Sequence, residues 1–131
     1  MKVKEIARNV KTISPDDTVK EASLIMSKNH IGSLVVLDAK KKVVGIITER
    51  DIIDKVNAKD RLASRVKIDD IMTSKVVTID ANAPLDDAVY LMIKNKIKKL
   101  PVTENNQLIG IITSTDIVAN SSDLGEFYLF G

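Results

Sequence analysis

The 131-residue chain contains no cysteine, no tryptophan, one histidine and only four aromatic residues. The absence of cysteine excludes disulfides, thiolate nucleophiles and cysteine-bound metals. The scarcity of aromatic side chains disfavours binding of single-stranded nucleic acid by base stacking. No stretch approaches the roughly 20 apolar residues that span a bilayer, and the first residues lead into no apolar run typical of a signal peptide. We therefore expect a cytoplasmic protein that does not enter the membrane.

Charge is also nearly balanced along the chain. Twenty basic residues against 18 acidic ones leave a formal charge of +2, which is too small to indicate a nucleic-acid or membrane-surface partner. Hydrophobic residues make up 44% of the chain and charged residues 29%, the balance of an ordinary globular protein. The length is that of one compact domain.

The chain contains the same pattern twice. Residues 10–38 align with residues 76–104 with ten identities in 29 positions. One residue is then lost, and Gly-Ile-Ile-Thr-x-x-Asp-Ile at 45–52 aligns with 110–117 with six identities in eight positions. Internal similarity of this kind indicates a duplicated structural unit.

Each copy predicts the order β-α-β-β-α. Short runs rich in β-branched residues predict strands at 10–13, 34–37, 43–47, 76–79, 100–103 and 108–112. A second helix after Thr48 is expected to end near Ala58, with a shorter counterpart after Thr113. Apolar residues at helical spacing predict which side chains face the core: Val19, Ala22, Ile25, Met26, Ile52, Ile53, Val56, Leu85, Ala88, Met92 and Ile93.

A single β-α-β-β-α unit buries only one face of its sheet. We therefore expect two copies, residues 1–62 and residues 63–131 with a C-terminal tail, to pack about a pseudo-twofold axis as one globular α/β (α+β) unit. Residues 59–70, rich in Lys, Asp and Arg, are expected to be the linker between the copies.

The repeated Thr-x-x-Asp motif is the main candidate for chemistry. Thr48 and Thr113 are expected to be helix N-caps, with Asp51 and Asp116 three residues later, an arrangement typical of a capping box. The same groups could instead bind a ligand, because a helix N-terminus attracts anions and a carboxylate can accept two hydrogen bonds from a ribose diol. A cap would be duplicated as faithfully as a binding site, so the residues alone leave both interpretations open.

The repeated pattern resembles the CBS domain, named for cystathionine β-synthase. The resemblance rests on Val-x-Thr-Ile, on Ala-x-x-x-Met-x-x-x-x-Ile-x-x-Leu-x-Val and on Gly-Ile-Ile-Thr-x-x-Asp, and it covers residues 3–120. Ile71-Met72-Thr73 is similar to the segment that often precedes such repeats. CBS pairs, or Bateman modules, carry two clefts that in many members hold AMP, ADP, ATP or S-adenosylmethionine. The resemblance implies that the aspartate contacts the ribose and the threonine lies near the phosphate.

The resemblance also implies which residues form each cleft. In the first, Asp116 would bind the ribose and Thr113 the phosphate, and the other residues would be Arg8, Asn9, Val10, Ile31, Gly32, Ile111 and Thr115. In the second, Asp51 and Thr48 would take these roles, and the other residues would be Ile46, Arg50, Met72, Thr73, Ile97 and Lys98. Lys98 and Lys99 are candidates for phosphate contact and equally for solvated surface charge.

The two clefts are not expected to be equivalent. The second copy has Lys98-Lys99-Leu100-Pro101-Val102, close to a pattern often seen in the family, whereas the first copy has Gly32-Ser33-Leu34-Val35-Val36. Arg50 stands where the second copy has Thr115. The clefts are therefore expected to differ in affinity or in the number of phosphates they accept.

These features favour a regulatory sensor of adenosine-type nucleotides that acts on an unidentified partner protein. The resemblance implies a homodimer, since CBS modules commonly pair. A dimerisation or scaffold module with vestigial clefts is the main alternative, and a nucleic-acid binder is weaker. No enzyme activity, metal site or catalytic cofactor is expected, because metal-ligand spacing, a glycine-rich phosphate loop and a catalytic triad are absent from the sequence. Phe127, Tyr128 and Phe130 predict a tail that packs on the protein's own core or anchors in a partner.

Overall fold

The computed structural model describes residues 1–120. Its strands and helices are, in chain order, β1 (Thr12–Ile13), α1 (Val19–Asn29), β2 (Ser33–Leu37), β3 (Val43–Thr48), α2 (Glu49–Lys55), α3 (Ile68–Ile71), β4 (Ile79–Asp80), α4 (Leu85–Asn95), β5 (Lys99–Glu104), β6 (Gln107–Thr113) and α5 (Ser114–Ala119). Short 3-10 helices occur at Val3–Glu5, Asn57–Lys59 and Ala63–Arg65. The predicted β-α-β-β-α order and the mixed α/β class are confirmed.

Contacts divide the chain into two compact units. One unit is Val10–Val76, and the other joins Met1–Asn9 to the chain from Val77 onward. The boundary expected between residues 62 and 63 lies inside the first of these units. The packing of the two copies about a pseudo-twofold axis stays a prediction.

The first nine residues pack with the second copy of the repeat. The amide of Val3 donates to the carbonyl of Ala83 at 2.9 Å, and the Val3 side chain is fully buried. Ile6 belongs to the same core cluster. The segment is held by this combination of apolar burial and backbone hydrogen bonds.

Each unit contains a three-stranded sheet of the same topology. In the sheet β1-β2-β3, β1 pairs parallel to β2, and β2 and β3 form an antiparallel hairpin with Leu34 opposite Ile47. The sheet β4-β5-β6 repeats this pattern, with Leu100 opposite Ile112. Asn105 and Asn106 in the second hairpin turn both have positive φ, as hairpin turns with a matching twist require. Both predicted hairpins are confirmed.

The core of each unit lies between its sheet and its helices. In the unit Val10–Val76 the buried residues are Ile13, Val19, Ala22, Met26, Leu34, Val36, Ile47, Val56, Val66, Ile68 and Ile71. In the other unit they are Val3, Ile6, Ile79, Ala81, Ala88, Met92, Leu100, Val102, Ile112 and Ile117. The strands β3 and β6 end at Thr48 and Thr113, and their pairing with β2 and β5 fixes the positions where the Thr-x-x-Asp motifs begin.

The stretch 59–70, expected to be the linker between the copies, packs in part into the core of the first unit. Val66 and Ile68 are buried in the core of the first unit, and the amide of Val19 donates to the carbonyl of Val66 at 2.8 Å. At 65–68 the exposed Arg65 and Lys67 alternate with Val66 and Ile68, which face inward. Composition alone therefore concealed a core segment.

Two details of the helices also differ from expectation. The helix α2 ends at Lys55 rather than near Ala58, because the chain tightens into a 3-10 turn and then reverses at Asp60, whose φ is positive. Ile53 and Ile93 are exposed rather than core-facing. Consecutive helical residues point about 100° apart, so Ile93 turns outward when its neighbour Met92 faces the core.

Some expectations concern residues beyond the described range. Phe127, Tyr128 and Phe130 lie outside the described residues, and both interpretations of the aromatic tail stay predictions. Within residues 1–120, no helix has the length and apolar character needed to cross a lipid bilayer.

Candidate functional site

Both copies carry the same hydrogen-bonded box at the start of their second helix. Thr48 Oγ1 accepts from the amide of Asp51 at 3.3 Å, and Asp51 Oδ2 accepts from the amide and the hydroxyl of Thr48 at 3.0 and 3.1 Å. For Thr113 and Asp116 the corresponding distances are 3.1, 3.0 and 2.8 Å. The predicted capping boxes are confirmed.

The two box carboxylates are buried and each faces a cation. Asp51 is 8% and Asp116 is 9% exposed, and among the described residues no other charged side chain is classed as buried. Asp51 Oδ1 lies 3.1 Å from Lys55 Nζ, and Asp116 Oδ1 lies 3.0 Å from Arg8 Nε. A carboxylate removed from water requires such a partner. One oxygen of each carboxylate thus serves the cap and the other holds a counter-ion.

The glycine of the motif lets a preceding segment approach the strand. Arg8 and Ile111 exchange two backbone hydrogen bonds of 2.9 Å. A Cβ built at Gly110 would lie 2.5 Å from the carbonyl oxygen of Arg8, so any larger residue would push the segment away. This close approach positions the Arg8 guanidinium beside Asp116.

The first copy has an equivalent approach. Thr73 and Ile46 exchange backbone hydrogen bonds of 3.0 and 2.9 Å. At Gly45 a Cβ would meet the side chain of Met72 and lie 3.2 Å from the carbonyl oxygen of Thr73. In each unit, the motif glycine therefore marks the point at which the segment before the repeat joins the sheet.

The structure brings together about half of the predicted site residues within single units. Around Asp116 these are Arg8, Ile111 and Thr113, and around Asp51 they are Ile46, Thr48, Met72 and Thr73. Thr115 and Asn9 are exposed. The Arg50 guanidinium pairs with Asp54 at 3.6 Å, whereas the counter-ion of Asp51 is Lys55.

The remaining predicted residues follow the first helix of each copy or precede β1. The carbonyl of Gly32 accepts from the amide of Glu49 at 3.0 Å, and the carbonyl of Lys98 accepts from the amide of Ser114 at 2.9 Å. Both therefore adjoin the second helix of their own copy. Partly buried members of the group are Val10, Ile31, Ile97 and Lys99. Their expected place opposite the carboxylate of the other copy stays a prediction.

Sequence reasoning missed Lys55. Its ammonium contacts Asp51 and also donates to the carbonyl oxygen of Ile71 at 2.8 Å. The available signal was the spacing of four residues between Asp51 and Lys55, which places opposite charges side by side on a helix.

A comparison with protein families decides which fold family carries this duplicated site. The CBS-domain family matches residues 3–58 and residues 68–123. The chain belongs to the CBS-domain family. The resemblance noted in the sequence is thereby confirmed, and the chain is a CBS pair, a regulatory module.

Individual relatives agree with this assignment. The chain is 31% identical over 111 residues to the CBS domain-containing protein YhcV of Bacillus subtilis. The alignment covers 85% of this chain and 78% of that protein. It is 41% identical over 114 residues to the inosine-5′-monophosphate dehydrogenase of Methanocaldococcus jannaschii, and the match covers 86% of this chain but 22% of the enzyme. In a further curated relative the match covers 60% of that protein's length. The chain therefore corresponds to only part of the dehydrogenase and of this further relative.

Solved structures show the same fold. The CBS domain pair of protein MJ0100, in complex with 5′-methylthioadenosine and S-adenosyl-L-methionine, superposes with a TM-score of 0.79 at 32% identity. The superposition covers 91% of this chain and 94% of that chain.

Proposed function

We propose that this CBS pair is a regulatory sensor that binds adenosine-type ligands through the carboxylates of Asp51 and Asp116. The observation that carries the proposal is that each buried carboxylate commits one oxygen to the helix cap and holds a partly exposed lysine or arginine on the other. A ribose diol can replace such a counter-ion as the hydrogen-bond donor, because carboxylates accept hydrogen bonds from ribose hydroxyls. The adenosine-containing ligands of the related MJ0100 pair support the choice of ligand class.

The neighbours of the carboxylates fit such a ligand. The apolar residues Ile46 and Ile111 lie two strand positions before Thr48 and Thr113, and the hydroxyls of these threonines lie within 3.1 Å of the carboxylates. Nucleoside sites combine apolar walls with a few directed polar groups. We propose AMP, ADP, ATP or S-adenosylmethionine as the ligand. In this proposal the protein works in the cytoplasm and catalyses no reaction. Ligand binding changes its interaction with a regulated partner protein.

Ligand addition is expected to stabilise the protein. A ligand present at 100 times its Kd adds about 2.7 kcal/mol to the free energy of unfolding, because it binds only the folded state. The measurement is a thermal-shift titration with AMP, ADP, ATP and S-adenosylmethionine. The double variant Asp51→Asn with Asp116→Asn is expected to lose the stabilisation, since each amide keeps one acceptor oxygen but no longer offers a carboxylate to the ribose.

The matched control replaces exposed carboxylates in the same units. Asp69→Asn and Asp86→Asn lie at exposed positions and should leave the ligand response unchanged. Melting curves of the unsubstituted protein that do not move with any of the four ligands would refute nucleotide sensing.

Exposed apolar side chains support a homodimer as the working form. On α1 and α2 of one unit these are Leu24 and Ile53, and on α4 of the other they are Tyr90 and Ile93. Apolar side chains grouped on helix faces are typical of protein interfaces. The same observation favours a second candidate function, a dimerisation or scaffold module that does not use its carboxylates for a ligand.

Sedimentation of charged variants tests these helix faces. Leu24→Asp combined with Ile93→Asp is expected to convert a dimer to a monomer, because two carboxylates would be buried without partners in the interface. Leu62→Asp, which adds the same charge at an exposed position outside the helices, is the control and should leave the dimer intact. A monomeric mass of the unsubstituted protein at micromolar concentration would contradict the proposed assembly. A dimer that is unaffected by Asp51→Ala with Asp116→Ala and by every nucleotide would favour the scaffold.

A further inference from the structure

The two buried carboxylates take their counter-ions from different positions of the repeat. Thr73 bridges Ile46 in one copy, and Arg8 occupies the same position opposite the equivalent isoleucine in the other. At the ends of the second helices, Lys55 of the first copy corresponds to Asn120 of the second. The cation of the first copy, Lys55, thus lies at the end of the second helix. The cation of the second copy, Arg8, lies on the segment whose backbone bonds to Ile111.

The hydrogen-bond capacity of the carboxylates explains why the counter-ions matter. A carboxylate has about four lone-pair sites, two on each oxygen. In Asp51, Oδ2 accepts from the amide and the hydroxyl of Thr48, and Oδ1 accepts from Lys55. Asp116 is occupied in the same way by Thr113 and Arg8. A ribose diol that donates both hydroxyls to Oδ1 therefore has to displace the cation.

We infer that Lys55 and Arg8 are displaceable counter-ions that compete with ribose hydroxyls and set the affinity of each carboxylate separately. The inference rests on the proposed function and deepens it, because it names the residues that regulate the two sites. Removing either cation leaves a buried carboxylate short of donors. Such a carboxylate binds a diol more tightly.

The released cations have different fates. The ammonium of Lys55 keeps a second partner, the carbonyl oxygen of Ile71 at 2.8 Å. The backbone of Arg8 stays bonded to Ile111, while its side chain is 65% exposed and returns to solvent. Ligand binding at Asp51 therefore leaves the ammonium of Lys55 bonded to the segment that ends at Ile71. Ligand binding at Asp116 releases the guanidinium of Arg8 to the surface.

Calorimetric titration of single-site proteins tests the inference. Asp116→Asn leaves only the Asp51 site, and Asp51→Asn leaves only the Asp116 site. Adenosine is the probe because it carries no phosphate that would itself attract the cations. Each cation is replaced by the residue found at the equivalent position of the other copy, as Lys55→Asn and as Arg8→Thr.

The expected result is a gain in affinity confined to one site. Partly exposed ion pairs contribute little, so Lys55→Asn should tighten adenosine binding at the Asp51 site roughly two- to fivefold, and Arg8→Thr should do the same at the Asp116 site. The controls Lys59→Asn and Lys4→Thr remove exposed cations from the same units and should change neither affinity. A residue with a merely structural role would weaken binding when replaced.

The possible failures can be told apart. Unchanged or weakened adenosine binding in both Lys55→Asn and Arg8→Thr would overturn the inference and leave the proposed function standing. A protein with both carboxylates intact that binds neither adenosine nor any of AMP, ADP, ATP and S-adenosylmethionine would overturn the proposed function, and the inference with it. A second measurement is the Nε–H resonance of Arg8 in NMR spectra. Its chemical shift should move on saturation with adenosine, and a resonance that stays in place while ligand binds Asp116 would also overturn the inference.

Discussion

Replacing Ile68 with alanine is expected to lower the free energy of unfolding by about 2–5 kcal/mol. The Ile68 side chain is fully buried in the core of the unit Val10–Val76, and its amide donates to the carbonyl of Asp17 at 2.9 Å. Truncation leaves a cavity that the short helix α3, fixed at both ends, can fill only in part. A urea titration followed by circular dichroism measures the loss.

The control for this variant lies in the same stretch of sequence. Leu62 is 60% exposed, and Leu62→Ala should change the free energy of unfolding by less than about 0.5 kcal/mol. A loss below about 1 kcal/mol for Ile68→Ala would mean that residues 59–70 only connect the two copies, as their composition suggested.

The variant Gly110→Ala is expected to cost about 3 kcal/mol of stability. Its Cβ would lie 2.5 Å from the carbonyl oxygen of Arg8, and backbone cannot move aside as a flexible side chain can. The segment would have to retreat, which adds overpacking of about 1–3 kcal/mol to the loss of two backbone hydrogen bonds worth about 1 kcal/mol each. Reduced entropy of the unfolded chain offsets less than about 1 kcal/mol of this.

The motif supplies its own control in the other copy. In Gly45→Ala the new methyl group meets the flexible side chain of Met72, and the Thr73 carbonyl lies 3.2 Å away. The cost should therefore be clearly smaller than that of Gly110→Ala in the same urea titration. Equal costs at the two glycines would contradict the view that backbone contact with Arg8 makes Gly110 the more demanding position.

Local sequence patterns predicted most of the fold. The hairpins and first helices were predictable because β-branched runs and helical spacing are properties of a few neighbouring residues, and the Thr-x-x-Asp boxes join groups only three residues apart. The duplication strengthened each interpretation, since two independent stretches had to support the same element.

The parts that escaped prediction depend on distant contacts. The ion pair between Arg8 and Asp116 joins residues far apart in the chain, and no local pattern indicates it. Burial of Val66 and Ile68 depends on a neighbouring helix that covers them. Lys55 had a local signal, but that spacing is common on solvated helices, where it usually has no role beyond surface charge.

The backbone bridge between Arg8 and Ile111 also has a consequence for how the chain is made. At a synthesis rate of about 5–20 residues per second, Arg8 leaves the ribosome roughly 5–20 s before the strand that receives it. The unit Val10–Val76 is contiguous and complete long before then. The nascent N-terminal segment must therefore wait, with the apolar side chains of Val3 and Ile6 uncovered, until the second copy emerges. During that interval, a chaperone that recognises short apolar segments can bind the uncovered Val3 and Ile6.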